Sequence, residues 1–141
     1  MENYRPVSLS SQVCKLLEVI IRDTLVYHLK SNQLIVNSQH GFRKGRSCLT
    51  NLLEFLDKVK GCIDTEDSVD VIFLDFAKAF DKVSHKRLLL KLKAHGIDGK
   101  LNNWIAEWLR NRTQRVCIRG VMSDWLAVLS GVPQYWAQYS F

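Results

Sequence analysis

The residues best suited to chemistry lie in the middle of the chain. Residues Val71 to Leu74 form a continuous β-branched and apolar run, which predicts a strand that is buried on both faces. Asp75 follows this run, and an unpaired carboxylate in such a place either destabilises the fold or takes up a proton. A bound Mg²⁺ ion would remove that penalty, because this metal is held in proteins by one or two carboxylates and by phosphate oxygens. The plain alternative is that Asp75 ends a core strand and caps the next turn.

A second candidate is the stretch from Ser38 to Cys48, which contains two glycines, one phenylalanine and the cations Arg43, Lys44 and Arg46. Glycines allow the backbone to approach a phosphate closely, and arginine or lysine then supplies charge-assisted hydrogen bonds. The stretch therefore predicts an anion-binding loop. A basic surface turn before a helix explains it equally well, because the spacing is not that of a P-loop.

Four runs of sequence carry a family resemblance. They are Asn-Tyr-Arg-Pro-Val-Ser-Leu from Asn3, Gln-His-Gly-Phe-Arg-Lys-Gly-Arg-Ser from Gln39, Phe-Leu-Asp-Phe-Ala-Lys-Ala-Phe-Asp-Lys-Val-Ser-His from Phe73, and Ser-Gly-Val-Pro-Gln from Ser130. In this order they resemble the motifs of reverse transcriptases from non-LTR retrotransposons of the jockey-like, long interspersed element type. After Gln134 the resemblance fails, because Tyr135 stands where the family has a glycine.

The resemblance implies a role for each matching residue. Asp75 would be the catalytic aspartate that ligates both Mg²⁺ ions. Phe80 would pack beneath the incoming sugar and exclude a 2′-hydroxyl group, and Gln134 would lie near the incoming nucleotide. The remaining implied contacts are Phe76 and Arg43 with the nucleotide, Arg43 being the triphosphate contact, and Arg5, Lys44 and Arg46 with phosphate or nucleic acid.

The resemblance also implies a fold and a set of partners. The expected fold is α+β, the fingers and first half of the palm of a right-hand polymerase, with helices packed on a small, mostly antiparallel sheet. The expected polymerase region is 1–134, followed by a divergent tail at 135–141. The expected partners are an RNA template, a DNA primer, deoxynucleoside triphosphates and a separate C-terminal portion of the polymerase.

The chain contains no Ala-Asp-Asp run, which in the family supplies the other metal ligands. We therefore expect an incomplete Mg²⁺ site, little activity of the chain alone, and an open sheet edge with exposed apolar surface. Two alternatives are a nucleic-acid-binding remnant without catalysis and a helical interaction protein.

Composition adds little to these predictions. The 141 residues carry a net charge of +6, which favours a polyanionic partner without requiring one. The four cysteines have no zinc-ligand spacing, which indicates free thiols in a reducing compartment. With no signal-peptide pattern and no long apolar run, the expectation is an intracellular protein of the cytoplasm or nucleus that is neither secreted nor membrane-bound.

Periodicity predicts the elements that would position these residues. It predicts helices from a Ser10 or Ser11 cap to Leu29, from Ser47 to a stop at Gly61, from Ser84 to His95, and from Asp98 to Leu109, then a hairpin of 114–119 and 123–129 that turns near Gly120. Glu18 is expected on a solvated helix face, and Trp104 and Trp108 in packing. Arg112, Arg115 and Arg119 would face either a template-primer or water.

Overall fold

The computed structural model describes residues 6–133, so Arg5, Gln134 and the tail 135–141 lie outside the described residues. The helices are α1 Gln12–Ser31, α2 Cys48–Asp64, α3 His85–Ala94 and α4 Gly99–Leu109. The strands are β1 Thr113–Gln114, β2 Cys117–Ile118, β3 Val121–Met122 and β4 Leu126–Ala127. This element content confirms the predicted α+β class. The described residues form two compact units, an N-terminal unit of 16–77 and a C-terminal unit of 6–15 and 78–133.

Capping side chains begin the helices where the sequence predicts. The Ser11 hydroxyl accepts a backbone N–H of the first turn of α1 at 3.2 Å. At α2, the Ser47 hydroxyl accepts the Thr50 N–H at 3.2 Å and the Thr50 hydroxyl accepts the Ser47 N–H at 2.8 Å, a reciprocal capping box. Ser84 and Asp98 cap α3 and α4. Each start is therefore determined locally, by a polar side chain that satisfies an amide without an intrahelical partner.

Two expectations for the helices are wrong. Gly61 does not end α2, which continues to Asp64, because one glycine costs a helix only about 1 kcal/mol relative to alanine. Glu18 is only 6% exposed rather than solvated. It lies three and seven residues before Ile21 and Leu25, so all three share one face of α1, and that face is the one the protein buries.

The expected central strand is not present. Residues Val71 to Leu74 are outside any strand, and Ile72, Phe73 and Leu74 are 82%, 82% and 89% exposed. A strand needs a neighbour for its N–H and C=O groups, and the described strands pair only with one another. Phe73 instead contacts Phe55 of α2, with ring centroids 5.8 Å apart. The prediction of a strand buried on both faces is therefore wrong.

The predicted hairpin is present, with an irregularity in the middle. β1 pairs with β4 and β2 pairs with β3, both antiparallel. Two residues separate β1 from β2, whereas three separate β3 from β4, so the returning strand contains a β-bulge. Arg119 and Gly120 have φ of 49° and 82°, as in the tight type I′ turn that suits a hairpin. The returning strand begins at Val121 and not at Ser123, because this turn needs only two residues.

The core of the C-terminal unit lies between α3 and α4, which pack on each other. Ile97, Ile105 and Leu109 are 4%, 1% and 1% exposed, and the Asn102 side chain donates to the Leu89 carbonyl at 3.3 Å. Among the described elements of this unit, no helix packs on the hairpin, whose strand residues are exposed. The antiparallel sheet is confirmed, but the expected packing of helices on it is not found. Within residues 6–133 no helix has the length and apolar character needed to cross a membrane.

Candidate functional site

The basic loop, residues 39–47, is attached to α2 through a buried histidine. His40 is 4% exposed. Its Nε2 lies 2.6 Å from Glu54 Oε2 and its Nδ1 lies 2.8 Å from Thr50 Oγ1. Both partners are on α2, so one ring fixes the start of the loop to two successive turns of that helix. The sequence pattern did not identify this role.

Glu54 is the anion at the base of the loop. Hydrogen bonds from Lys58 and then His40 lower its pKa from 4.5 to about 2. Lys58 Nζ lies 2.7 Å from Glu54 Oε1, and Arg46 Nη1 lies 4.0 Å from Glu54 Oε2. Glu54 therefore stays ionised at neutral pH, and this one carboxylate faces three groups that carry or can carry positive charge.

The three cations of the loop have different surroundings. Arg43 Nη1 donates to the carbonyls of Val36, Gln39 and Asn37 at 3.0, 3.3 and 3.4 Å. This guanidinium group therefore stabilises the backbone conformation of residues 36–39. The Arg46 side chain is 36% exposed, and Lys44 is exposed. Lys44 is thus accessible to an anion, whereas Arg43 and Arg46 are both half-buried. Arg43 already binds the backbone through one nitrogen, and Nη1 of Arg46 faces Glu54.

Asp75 and Phe76 are both exposed, Phe76 to 83%, and Phe80 is half-buried. The expectation that Asp75 ends a buried strand is therefore wrong, because the preceding run is itself exposed. Within 6–133 no three His, Cys, Asp or Glu side chains are grouped so that they could hold a metal ion. Two-metal catalysis needs ions about 3.5–4 Å apart. The described residues consequently do not form the whole of such a centre.

A second cluster, which we call the Gly131 junction, joins two of the motif segments noted in the sequence. It consists of residues 80–85 and 130–132. Three hydrogen bonds to carbonyls of residues 80–83 connect them: the Val132 N–H donates to the Phe80 carbonyl (2.9 Å), the Gly131 N–H to the Val83 carbonyl (2.8 Å), and the Ser130 hydroxyl to the Asp81 carbonyl (2.9 Å). The half-buried Phe80 is thereby fixed, through its backbone, to the segment that leads to Gln134.

Gly131 is required at this junction for two reasons. Its φ is +90°, and a Cβ atom would lie 2.8 Å from the Asp81 carbonyl oxygen. Its own carbonyl oxygen accepts hydrogen bonds from His85 Nε2 at 2.9 Å and from Arg112 Nη1 at 3.4 Å. Arg112 Nη2 also donates to the Ser8 hydroxyl at 3.3 Å. The sequence signal for this contact was the glycine in Ser-Gly-Val-Pro, but its partners are distant along the chain and could not be read from the pattern.

The chain is similar to known proteins over most of its length. Residues 1–136 match the family described as reverse transcriptase (RNA-dependent DNA polymerase). The chain is 29% identical over 133 residues to the probable RNA-directed DNA polymerase from transposon BS of Drosophila melanogaster, covering 94% of the chain and 15% of that relative.

Two further relatives are similar over comparable lengths. The RNA-directed DNA polymerase from mobile element jockey of Drosophila melanogaster is 28% identical over 134 residues, which is 95% of the chain and 14% of the relative. The Pol polyprotein from type-1 retrotransposable element R2 of Popillia japonica is 27% identical over 128 residues, 83% and 17% of the two proteins. No solved structure matches the chain. The match over residues 1–136 confirms the resemblance seen in the motifs, and the chain belongs to the reverse transcriptase family.

Proposed function

We propose that this chain forms the fingers and first half of the palm of an RNA-directed DNA polymerase encoded by a non-LTR retrotransposon. The polymerase would extend a DNA primer on an RNA template with deoxynucleoside triphosphates. The observation that carries the proposal is the family match over residues 1–136. The chain spans about 15% of the length of the Drosophila relative it matches over 133 residues, so the activity is proposed for the polymerase of which such a region is a part.

The proposed catalytic metal ligand is Asp75. Its carboxylate is exposed, which leaves its oxygens accessible to a hard cation such as Mg²⁺. When bound, the metal pair would activate the primer hydroxyl and stabilise the leaving oxygens of the triphosphate. Since residues 6–133 contain no carboxylate cluster that could hold the pair, the other ligands must come from outside these residues.

The proposed nucleotide contacts divide between sugar and base. Phe80 would lie beneath the incoming sugar and exclude a 2′-hydroxyl group, with Phe76 beside it, and Gln134 would lie near the base. The hydrogen bond from Val132 to the Phe80 carbonyl supports this assignment, because Gln134 follows Val132 by only two residues.

The proposed phosphate contacts are the cations of the basic loop. Lys44 and Arg46 would bind the triphosphate or the template backbone directly. Arg43 would contribute its charge and would also stabilise the 36–39 backbone through its hydrogen bonds. Arg5 is a further candidate. The loop leads into the N-terminus of α2, whose dipole adds to the positive potential.

Salt-dependent RNA binding by the purified chain tests the phosphate assignments. We expect Lys44→Gln and Arg46→Gln each to weaken binding to a homopolymer RNA and to reduce the slope of log affinity against log salt by about 0.7, as for one lost phosphate contact on a single strand. Lys60→Gln is the matched control, because Lys60 is an exposed lysine on α2 outside the loop. Negligible RNA binding at low salt, or equal effects of all three variants, would contradict the assignment.

A second function, nucleic-acid binding without catalysis, is favoured by the lack of a metal-binding cluster within 6–133. Primer extension with Mg²⁺ on a homopolymer RNA template distinguishes the two. We expect no extension by this chain alone, and extension after the downstream polymerase region is joined to it. Loss of that extension in Asp75→Asn would support the polymerase, whereas failure to extend even in the joined protein would favour the binding remnant.

A further inference from the structure

The carbonyl oxygen of Gly131 is held by donors from two segments that are distant in sequence. His85 lies in the first turn of α3 and its Nε2 is 2.9 Å from this oxygen. Arg112 lies just before the hairpin, and its Nη1 is 3.4 Å away. A carbonyl oxygen can only accept, so Nε2 of His85 must carry the proton in this contact.

The peptide plane that accepts these hydrogen bonds also donates the hydrogen bond to the Phe80 carbonyl. The Gly131 carbonyl and the Val132 N–H belong to one planar, trans peptide unit, and they point in opposite directions. At one edge of the plane the Gly131 carbonyl accepts a hydrogen bond from His85. At the opposite edge the Val132 N–H donates to the Phe80 carbonyl. Rotation of this plane would break both contacts together.

Hydrogen bonds at both edges of this peptide plane are needed because residue 131 is a glycine. Gly131 has no side chain to restrict its own rotation, yet its surroundings permit no Cβ. Its orientation must therefore be set by groups outside it. His85 makes the shorter of the two side-chain contacts with the carbonyl and so contributes the stronger hydrogen bond.

We propose that His85 and Arg112 are positioning residues of the nucleotide site. By binding the Gly131 carbonyl they maintain the hydrogen bond from the Val132 N–H to the Phe80 carbonyl, and thereby fix the spacing between Phe80 and residues 130–132. This inference rests on the proposed function, since it assigns Phe80 to the sugar of the incoming nucleotide. Loss of these contacts lets Phe80 move relative to Val132 and weakens discrimination against a 2′-hydroxyl group.

Amide hydrogen exchange in the purified chain tests the hold itself. We expect His85→Leu to speed exchange of the Val132 amide by about tenfold or more relative to the amides of α4, as for loss of a protecting hydrogen bond. His85→Gln should restore protection, because its terminal amide nitrogen can donate from a similar position. Asn102→Leu is the control: it removes the contact between α4 and the Leu89 carbonyl and should lower thermal stability without a selective effect at Val132.

Binding of a deoxynucleoside triphosphate and of the matching ribonucleoside triphosphate tests the role, with the same substitutions made in the joined polymerase that is used for primer extension. We expect the preference for the deoxynucleotide to fall several-fold in His85→Leu and to be retained in His85→Gln and Asn102→Leu. Arg112→Met should have a smaller effect than His85→Leu, because its contact is longer.

The outcomes separate the inference from the proposed function. Unchanged Val132 exchange in His85→Leu would overturn the hold, whatever the nucleotide data. Faster exchange with an unchanged sugar preference would overturn the positioning role. If the wild-type joined polymerase binds neither triphosphate, the assignment to a nucleotide site is overturned with the proposed function, while the exchange data from the purified chain still decide whether His85 orients Gly131.

Discussion

At the scale of single residues, Glu54 illustrates how one carboxylate can stabilise a basic loop. Its pKa is lowered to about 2 by Lys58 and His40. A lowered pKa means that the ionised form is favoured by folding, so its contribution is complete above pH 4.5 and is lost as the pH falls from about 4.5 to about 2.

We therefore expect Glu54→Gln to be less stable than the wild-type chain at pH 7, with the difference shrinking below pH 4.5 and vanishing near pH 2. Urea unfolding midpoints across this range give the measurement. Asp57→Asn is the control on the same helix, since Asp57 is an exposed residue of α2. A difference between Glu54→Gln and wild type that stays constant from pH 7 to pH 2 would contradict the ion-pair account.

Gly131 provides the second residue-scale prediction. We expect Gly131→Ala to destabilise the C-terminal unit by about 1–3 kcal/mol from the strained backbone alone, and by more from the 2.8 Å approach to the Asp81 carbonyl. Chemical denaturation measures this cost. Gly61→Ala is the matched control, because Gly61 is helical and has open space around it, and it should stabilise α2. Equal effects of the two substitutions would show that the close approach at Gly131 is not present.

At the scale of elements, the sequence predicted those features whose causes are local. Ser47 satisfies an amide of its own helix, and Asp98 does the same for α4, so the start of each helix could be predicted from a few neighbouring residues. The strand predicted at Val71 to Leu74 is not formed, because a strand exists only when another segment pairs with it, and such pairing cannot be predicted from the run itself. The sequence identified Arg43 and Phe80 as candidates through their motifs. It did not reveal the contacts of His40 and His85, because these depend on partners that are distant along the chain.

The capping box of α2 leads to an element-scale prediction. We expect Ser47→Ala to cost about 1 kcal/mol, the usual loss for an N-cap side chain, and to fray the first turn of α2 where the basic loop enters it. Circular dichroism during thermal unfolding measures the loss of stability. Ser68→Ala, at an exposed serine outside the helices, should leave the melting temperature unchanged. An unchanged melting temperature in Ser47→Ala would mean that the Thr50 side chain alone is enough to cap α2.

At the scale of the whole molecule, apolar surface is abundant. The core of the described residues consists of the aliphatic side chains of Ile21, Leu25, Ile97, Ile105 and Leu109. Large side chains in both units remain exposed, with Leu74 at 89% in the N-terminal unit and Leu129 at 85% in the C-terminal unit. Contiguous exposed apolar residues promote association, so the isolated chain should be prone to self-association.

The exposed run before Asp75 gives the test at this scale, because the sequence pattern and the structure disagree about it. If Leu74 is exposed, Leu74→Lys should change the free energy of unfolding by no more than about 0.5 kcal/mol, and should reduce self-association seen by analytical ultracentrifugation. If the run is instead a buried strand, the same lysine would be an unpaired buried charge and would destabilise the chain by several kcal/mol. Phe73→Lys is the informative companion, since it should cost more than Leu74→Lys through its lost contact with Phe55.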